Sequence, residues 1–221
     1  MPEKKLNQTA NHAIVCSKGQ LAVILSQIKG FAEAKVSLEQ YQTDSETAAT
    51  VLWHANMICD LANKKIIDLG SGTGILGLGT MLLGCSEVTF VEKDENALKL
   101  CKINAKNLKS EFSDDFLVSF QNKDVSEVLG SFDVVVMNPP FGTHEAHADR
   151  VFLQKACSLA PIIYSFHKAA TFAFVQAFAK DNGFAITHNW QFDFPLKQTM
   201  KFHTKKIQRI TVVCVRLERK Q

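Results

Sequence analysis

Short apolar runs alternate with amphipathic segments along most of this chain. From Lys65 onward the runs Lys65 to Leu69, Glu87 to Glu92, Phe116 to Gln121 and Phe132 to Met137 are rich in β-branched and aromatic residues and are bounded by Gly, Asn, Asp and Ser. That composition predicts strands. Ile75 to Leu83 and Asn96 to Lys109 carry apolar residues at helical spacing and predict the helices between them. Strand, helix, strand, helix in this order imply a parallel sheet with helices on both faces. Ile162 to Phe166 reads as a fifth strand and Phe172 to Lys180 as a further helix. The pattern then changes, because Phe184 to Phe194 and Ile207 to Leu217 are two long strand-like runs with no helix between them. They predict an antiparallel hairpin at the sheet's edge. The fold class expected is α/β, a seven-stranded Rossmann-like sheet with a C-terminal hairpin.

Upstream, Leu21, Ile24, Leu25 and Ile28 recur at helical spacing, and Gly30 can stop that helix. Asp44 suits the N-cap of a helix with Ala48, Leu52, Ala55 and Ile58 on one side. Residues 1–16 read as a flexible tail and 17–221 as a single domain, which suits 221 residues.

Composition adds little until it is mapped. The net charge is only +3, yet Pro195 to Gln221 holds eight Lys/Arg against one acid, Glu218, so a basic surplus sits at the end. The six cysteines, Cys16, Cys59, Cys85, Cys101, Cys157 and Cys214, form no C-x-x-C pair and suggest reduced thiols in a cytoplasmic protein. The first fifteen residues lack a signal-peptide core, and the glycine-interrupted stretch Ile75 to Cys85 is half the length of a membrane span.

The sharpest local signal is Asp68-Leu69-Gly70-Ser71-Gly72-Thr73-Gly74 between a strand and a helix. Glycines there let the backbone turn tightly and approach a ligand. Glu92 ends the next strand, 24 residues after Asp68, where a carboxylate can accept from ribose hydroxyls. The spacing is G-x-G-x-G, not the G-x-G-x-x-G of dinucleotide folds. With Asp68 before the turn, it favours S-adenosylmethionine over NAD. Asp124, just beyond the third strand, can take the adenine amino group, form a turn, or both.

The fourth strand runs into Asn138-Pro139-Pro140-Phe141. Two prolines stop a strand and stiffen the backbone beyond it. The side-chain oxygen of Asn138 and the carbonyl of Pro139 can then face outward as paired acceptors. An amino group conjugated to a ring is a poor nucleophile, because its lone pair is delocalised. Two acceptors drawing its hydrogens toward tetrahedral geometry return that lone pair for attack on a methyl donor. Phe141 offers a face on which an extruded base can stack. Asn138, Pro139, Pro140 and Phe141 are the candidate catalytic set.

On these residues the chain resembles the class I methyltransferases with an N-P-P-F motif, and within them the methyltransferase-like 5 family of N6-adenosine methyltransferases of small-subunit ribosomal RNA. The likeness runs from Leu21 onward and includes Leu38-Glu39-Gln40-Tyr41-Gln42-Thr43, Asp68 to Gly74, Met137 to Thr143, Tyr164-Ser165-Phe166-His167-Lys168 and Lys201-Phe202-His203-Thr204-Lys205-Lys206. The resemblance implies cofactor contacts from Gln40 and Thr43. Asp68, Gly70, Gly72, Thr73, Gly74, Ile75, Glu92, Asp124 and Val125 complete the expected cofactor set. Glu92 stands where Asp is usual, and Ser71 where Cys or Ala is common. A Trm112-like zinc-binding activator is the partner that the family's eukaryotic member implies.

His167 and Lys168, with Lys201, Phe202, His203, Lys205 and Lys206 at the hairpin tip, are the candidate RNA contacts. His144, His147 and Asp149 cluster after the N-P-P-F loop, but with no second ligand cluster they predict a substrate-facing rim, with Asp149 capping the next helix, rather than a metal centre. The same chemistry would serve guanine N2, DNA adenine or a glutamine amide, and a non-catalytic RNA-binding subunit would share the fold.

Overall fold

Each of the seven apolar runs becomes a strand. The computed structural model describes residues 13–31, 43–112, 116–140, 148–197 and 207–220. Strands β1 (Lys65–Leu69), β2 (Glu87–Val91), β3 (Leu117–Gln121), β4 (Val134–Met137), β5 (Ile162–Lys168), β6 (Phe184–Lys197) and β7 (Ile207–Arg219) form one sheet in the order β3-β2-β1-β4-β5-β7-β6. The first five pair in parallel, and β7 and β6 add the antiparallel hairpin. All four residues of β4 are buried, as a central strand covered on both faces requires. Each such side chain contributes roughly 1.5–3 kcal/mol through burial.

Helices α1 (Lys18–Ser26), α2 (Ser45–Met57), α3 (Ile75–Leu82) and α4 (Glu95–Phe112) cover one face, where Leu25, Leu52, Leu78, Phe90 and Cys101 share a core. Helices α5 (Ala148–Leu159) and α6 (Phe172–Asp181) cover the other, with Leu153, Ala156, Val175 and Phe178 against Leu69 and Val135.

The domain begins earlier than the sequence suggests. Residues 1–12 lie outside the described residues, but Ile14 N–H donates to the Leu82 carbonyl at 2.9 Å and Val15 is 3% exposed, so the segment before Ser17 packs on the core. Ser17 caps α1 by accepting from Gln20 N–H, while the Gln20 side chain accepts from Cys16 N–H. That helix ends at Ser26, four residues short of Gly30. In α2, Asp44 is the N-cap, as expected, and Val51 joins Ala48, Leu52 and Ala55 on the buried side. Ile58, assigned to that stripe, is instead 40% exposed, because the helix stops at Met57 and the chain turns through Cys59 at φ 63°.

Two devices fix α2. A Cβ on Gly79 of α3 would lie 2.4 Å from Leu52 Cδ1, so only glycine admits this close packing of the two helices. Beyond the other end of α2, the Asp60 carboxylate accepts two bonds from Arg216 of β7, Nε at 2.6 Å and Nη2 at 3.1 Å, and one from the Tyr164 hydroxyl. Arg216 Nη1 also reaches Thr187 and Glu218. Arg219 donates to the Cys157 and Ala160 carbonyls and lies over the Phe184 ring. Two of the eight cations in the C-terminal surplus therefore hold the fold together and are unavailable to a ligand. Among the described residues no helix is long and apolar enough to cross a membrane, and no cysteine is in a disulfide.

Candidate active site

Register brings the motifs together. Leu69 pairs with Val91 on one side and Met137 on the other, so the next residues, Gly70, Glu92 and Asn138, leave three adjacent strands at the same level. Strand spacing puts neighbouring tips about 5 Å apart. The level is the carboxyl end of the sheet, at the point where the strand order leads from β1 to β2 and β3 on one side and from β4 to β5 on the other, the crevice in which open α/β sheets bind ligands.

The glycine loop is held by its backbone. Gly70 and Ser71 N–H both donate to the Val91 carbonyl at 2.9 Å, and Gly74 N–H donates to the Ser71 carbonyl at 2.8 Å. Gly74 has φ 92° and a Cβ there would stand 2.6 Å from Cys101 Sγ, so both the turn and the space demand glycine. Gly74 precedes α3 and has no side chain with which to cap it. Asp68 does so from β1, accepting from Gly77 N–H at 2.8 Å. Asp68 is 1% exposed, and burial pushes its carboxyl up to about 7, with the Glu92 charge adding to the rise and the Gly77 bond opposing it. Asp68 was expected among the cofactor contacts, but it lies beneath the loop and shapes it.

Glu92 faces the loop. Its Oε2 accepts from Gly72 N–H and its Oε1 from Asp94 N–H, both at 2.9 Å, and each oxygen keeps a lone pair for a hydroxyl. Thr73, Ile75 and Val125 are buried around the crevice. Asp124 caps a short 3-10 turn over Val125–Glu127 by accepting from Ser126 N–H and Oγ, bonds that hold its carboxyl below the ordinary range. Both bonds fall on Oδ1, so Oδ2 keeps its acceptor capacity. The turn former and the candidate ligand are one residue.

Asn138 and Pro139 end β4, Pro139 buried and Asn138 half-buried. Asn138 Nδ2 donates to Thr43 Oγ1 at 3.0 Å, while Asn138 Oδ1 is buried with no hydrogen-bond partner among the described residues. Gln121 Oε1, at the end of β3, is a second such acceptor. An unsatisfied buried acceptor costs about 1–3 kcal/mol, which a donor from a ligand would recover. The site therefore fits a nucleoside-bearing methyl donor and an amino substrate, with glycine loop, carboxylate and acceptors all present at one sheet edge.

Asn104 was missed at the sequence level. It sits on the apolar stripe of α4, donates from Nδ2 to the Lys29 and Thr73 carbonyls and accepts from Lys29 N–H. The segment after α1 is thus tied to the glycine loop, with the Phe31 ring against Gly72. A lone polar residue on an otherwise apolar helix face was the available signal.

The substrate side is less as expected. His167 is 1% exposed, bonds Ser165 Oγ through Nε2 at 2.7 Å, and is held neutral by burial, its imidazole pushed down to about 3. A side chain so enclosed does not reach RNA phosphate from this position. Lys168, half-buried, ends β5 near the crevice. Asp149 is the second residue of α5 and accepts from Arg150 N–H, so it does not cap the helix. Gln40, Phe141, His144, His147, Lys201, Phe202, His203, Lys205 and Lys206 lie outside the described residues.

Comparison with known proteins places this geometry in a family. Residues 42–159 match the methyltransferase small domain. An uncharacterized protein of Methanocaldococcus jannaschii is 36% identical over 209 residues, 91% of this chain and 94% of that protein. The rRNA N(6)-adenosine-methyltransferase METTL5 of Danio rerio is 34% identical over 204 residues, 89% of this chain and 96% of the relative. A crystal structure from Pyrococcus horikoshii, described as a candidate RNA methyltransferase, superposes with TM-score 0.82 at 39% identity, covering 94% of this chain and all of that one.

Proposed function

The chain belongs to the METTL5 family of rRNA N6-adenosine methyltransferases, and we propose from this that it methylates N6 of an adenosine in small-subunit ribosomal RNA, using S-adenosylmethionine. The observation that carries the reading is Asn138 Oδ1, a buried acceptor without a partner, one residue past a strand that pairs in register with the glycine-loop strand.

When bound, S-adenosylmethionine supplies an electrophilic methyl group on sulfur. Gly70, Gly72 and Gly74 give its backbone-lined bed, Glu92 an acceptor for ribose hydroxyls, and Asp124 one for the adenine amino group. Thr73, Ile75 and Val125 wall the crevice, Thr43 closes it from just before α2, and the family resemblance adds Gln40 as a cofactor contact. At the substrate end, Asn138 Oδ1 and the Pro139 carbonyl accept the two N6 hydrogens, which draws the nitrogen out of conjugation and frees its lone pair. No general base is needed, because the nitrogen becomes cationic on methylation and then loses a proton to water. The chain's contribution is positioning and preorganised dipoles. Pro139 and Pro140 keep the acceptors stiff, and Phe141 stacks the extruded base.

Lys168 and the hairpin residues Lys201, Phe202, His203, Lys205 and Lys206 would track the RNA backbone, and a Trm112-like activator would complete the enzyme in the cytoplasm. The test is methyl transfer from a labelled donor to small-subunit ribosomal RNA, followed by nucleoside analysis, with and without the activator. N6-methyladenosine is the expected product. Label found only in N2-methylguanosine, in DNA or in protein would reject the assignment.

A further inference from the structure

We propose that Thr43 is a positioning residue for the reaction, holding the Asn138 side chain by its amide nitrogen so that, in the orientation the structure shows, its oxygen is left to face the substrate amine; this rests on the proposed role of Asn138 as an acceptor for that amine. The terminal torsion of asparagine is broad, so an amide at a strand tip does not choose its own orientation. A reversed amide would present N–H groups to an amino substrate, donor against donor, and the pull on the N6 hydrogens would be lost. In the structure Asn138 Nδ2 donates to Thr43 Oγ1 at 3.0 Å, and Oδ1 is the amide atom left over. Thr43 is 2% exposed, so water is poorly placed to substitute for it.

Thr43 is itself held. It precedes Asp44, the N-cap of α2, whose carboxylate accepts from Thr47 N–H and Oγ1. Helix α2 is pressed onto α3 at Leu52 and Gly79, and the chain beyond its far end is tied to Arg216 through Asp60. The hydroxyl that sets the amide is therefore carried on an element anchored to the helix after the glycine loop and to the hairpin. The partners are 95 residues apart in sequence.

Replacing one near-isosteric side chain decides the matter. Thr43→Val removes the hydroxyl and keeps the shape, and Thr43→Ser keeps the hydroxyl. The expected result is a kcat about tenfold lower in T43V, the loss of one oriented hydrogen bond, with the Kd for S-adenosylmethionine within about twofold of the parent, because valine keeps the surface with which Thr43 closes the crevice, and kcat restored in T43S. An unchanged kcat in T43V, or a Kd that rises in step with the activity loss, would overturn the proposal, the second outcome making Thr43 a cofactor ligand only. Side-chain amide signals of Asn138 in 15N-labelled protein separate this from the wider reading. If the parent methylates no adenosine, that reading falls, yet the Asn138 amide pair must still shift and exchange faster in T43V. A pair unmoved by the substitution ends the positioning role whatever the substrate is.

Discussion

The glycine loop and the hairpin side of the sheet hold their polar groups in different ways. At the loop, polar side chains are tied to backbone: Asp68 to Gly77 N–H, Glu92 to Gly72 and Asp94 N–H, Asn104 to the Lys29 and Thr73 carbonyls. On the hairpin side, two buried clusters tie side chains to each other: Ser165 to His167, and Asp60 to Arg216 and Tyr164. Side chains that grip backbone impose a shape on a loop, and the loop in question must fit a ligand. Side chains that grip one another lock elements together and leave no shape for anything else. Asn138 lies between the two regimes, one amide group bonded and the other open.

That boundary is where a substitution has the largest expected effect on rate. Asn138→Ala should lower methyl transfer on the order of 10²–10³-fold, the magnitude for losing one preorganised transition-state contact. Affinity for S-adenosylmethionine should change by less than about threefold. Equilibrium binding beside single-turnover transfer separates the two, and parallel loss would make Asn138 a strut rather than a participant.

On the scaffold side the expected effect is on stability. Arg216→Met leaves the Asp60 carboxylate buried without its bidentate partner, and breaking a buried pair from one side costs about 3–5 kcal/mol. In a chain of this size that lowers Tm by roughly 10 °C or more. Adding Asp60→Asn should recover part of it. Below the transition the variant's cofactor affinity should match the parent's; a weakened cofactor site at low temperature would show that the two sides are not separate.

How much of this was legible in the chain tracks the same divide. The glycine loop, Glu92 and Asn138-Pro139-Pro140 are local motifs at strand ends, and local sequence dictates both the turn and the residue at its tip. Val134 to Met137 could be read as a central strand because every position in it is apolar. The partners that organise the site were not legible. Thr43 with Asn138 and Asp60 with Arg216 lie 95 and 156 residues apart, and neither pair leaves a periodic trace. His167 misled for the same reason: a histidine beside a lysine at a strand end looks like surface, and only the pairing of β5 with β7, which sets His167 opposite Val213, shows that it is inside. Ile58 failed more simply, since the helical pattern continued past the residue at which the backbone turned.

A smaller and more diagnostic effect comes from pH. Asp68, with its folded-state value near 7 against an ordinary 3.8, is protonated in the native protein where the unfolded chain has already released its proton. Its contribution to stability is therefore present at pH 4 and is lost as pH rises to 7. Asp68→Asn keeps an acceptor for Gly77 N–H and removes this slope, which amounts to at most about 1.4 kcal/mol per pH unit. Urea midpoints for parent and variant at pH 4.5 and 6.5 measure it, and equal changes in both would mean that Asp68 titrates normally.

His167 carries the opposite slope over nearly the same range. Its folded-state value near 3 lies below an ordinary 6.5, so the unfolded chain takes up a proton that the native protein refuses, and stability rises as pH goes from 3 to 6.5. In the parent the two slopes oppose one another, one from each side of β4, and the net dependence should be shallow. Each single variant then uncovers the other residue. Asp68→Asn should gain stability with rising pH, and His167→Asn, which can still bond Ser165 Oγ, should lose it. Because His167 is enclosed, His167→Asn should also leave RNA affinity and its salt dependence unchanged. Slopes of the same sign in the two variants would show that burial does not control both groups, and a weakened RNA complex would return His167 to the substrate side.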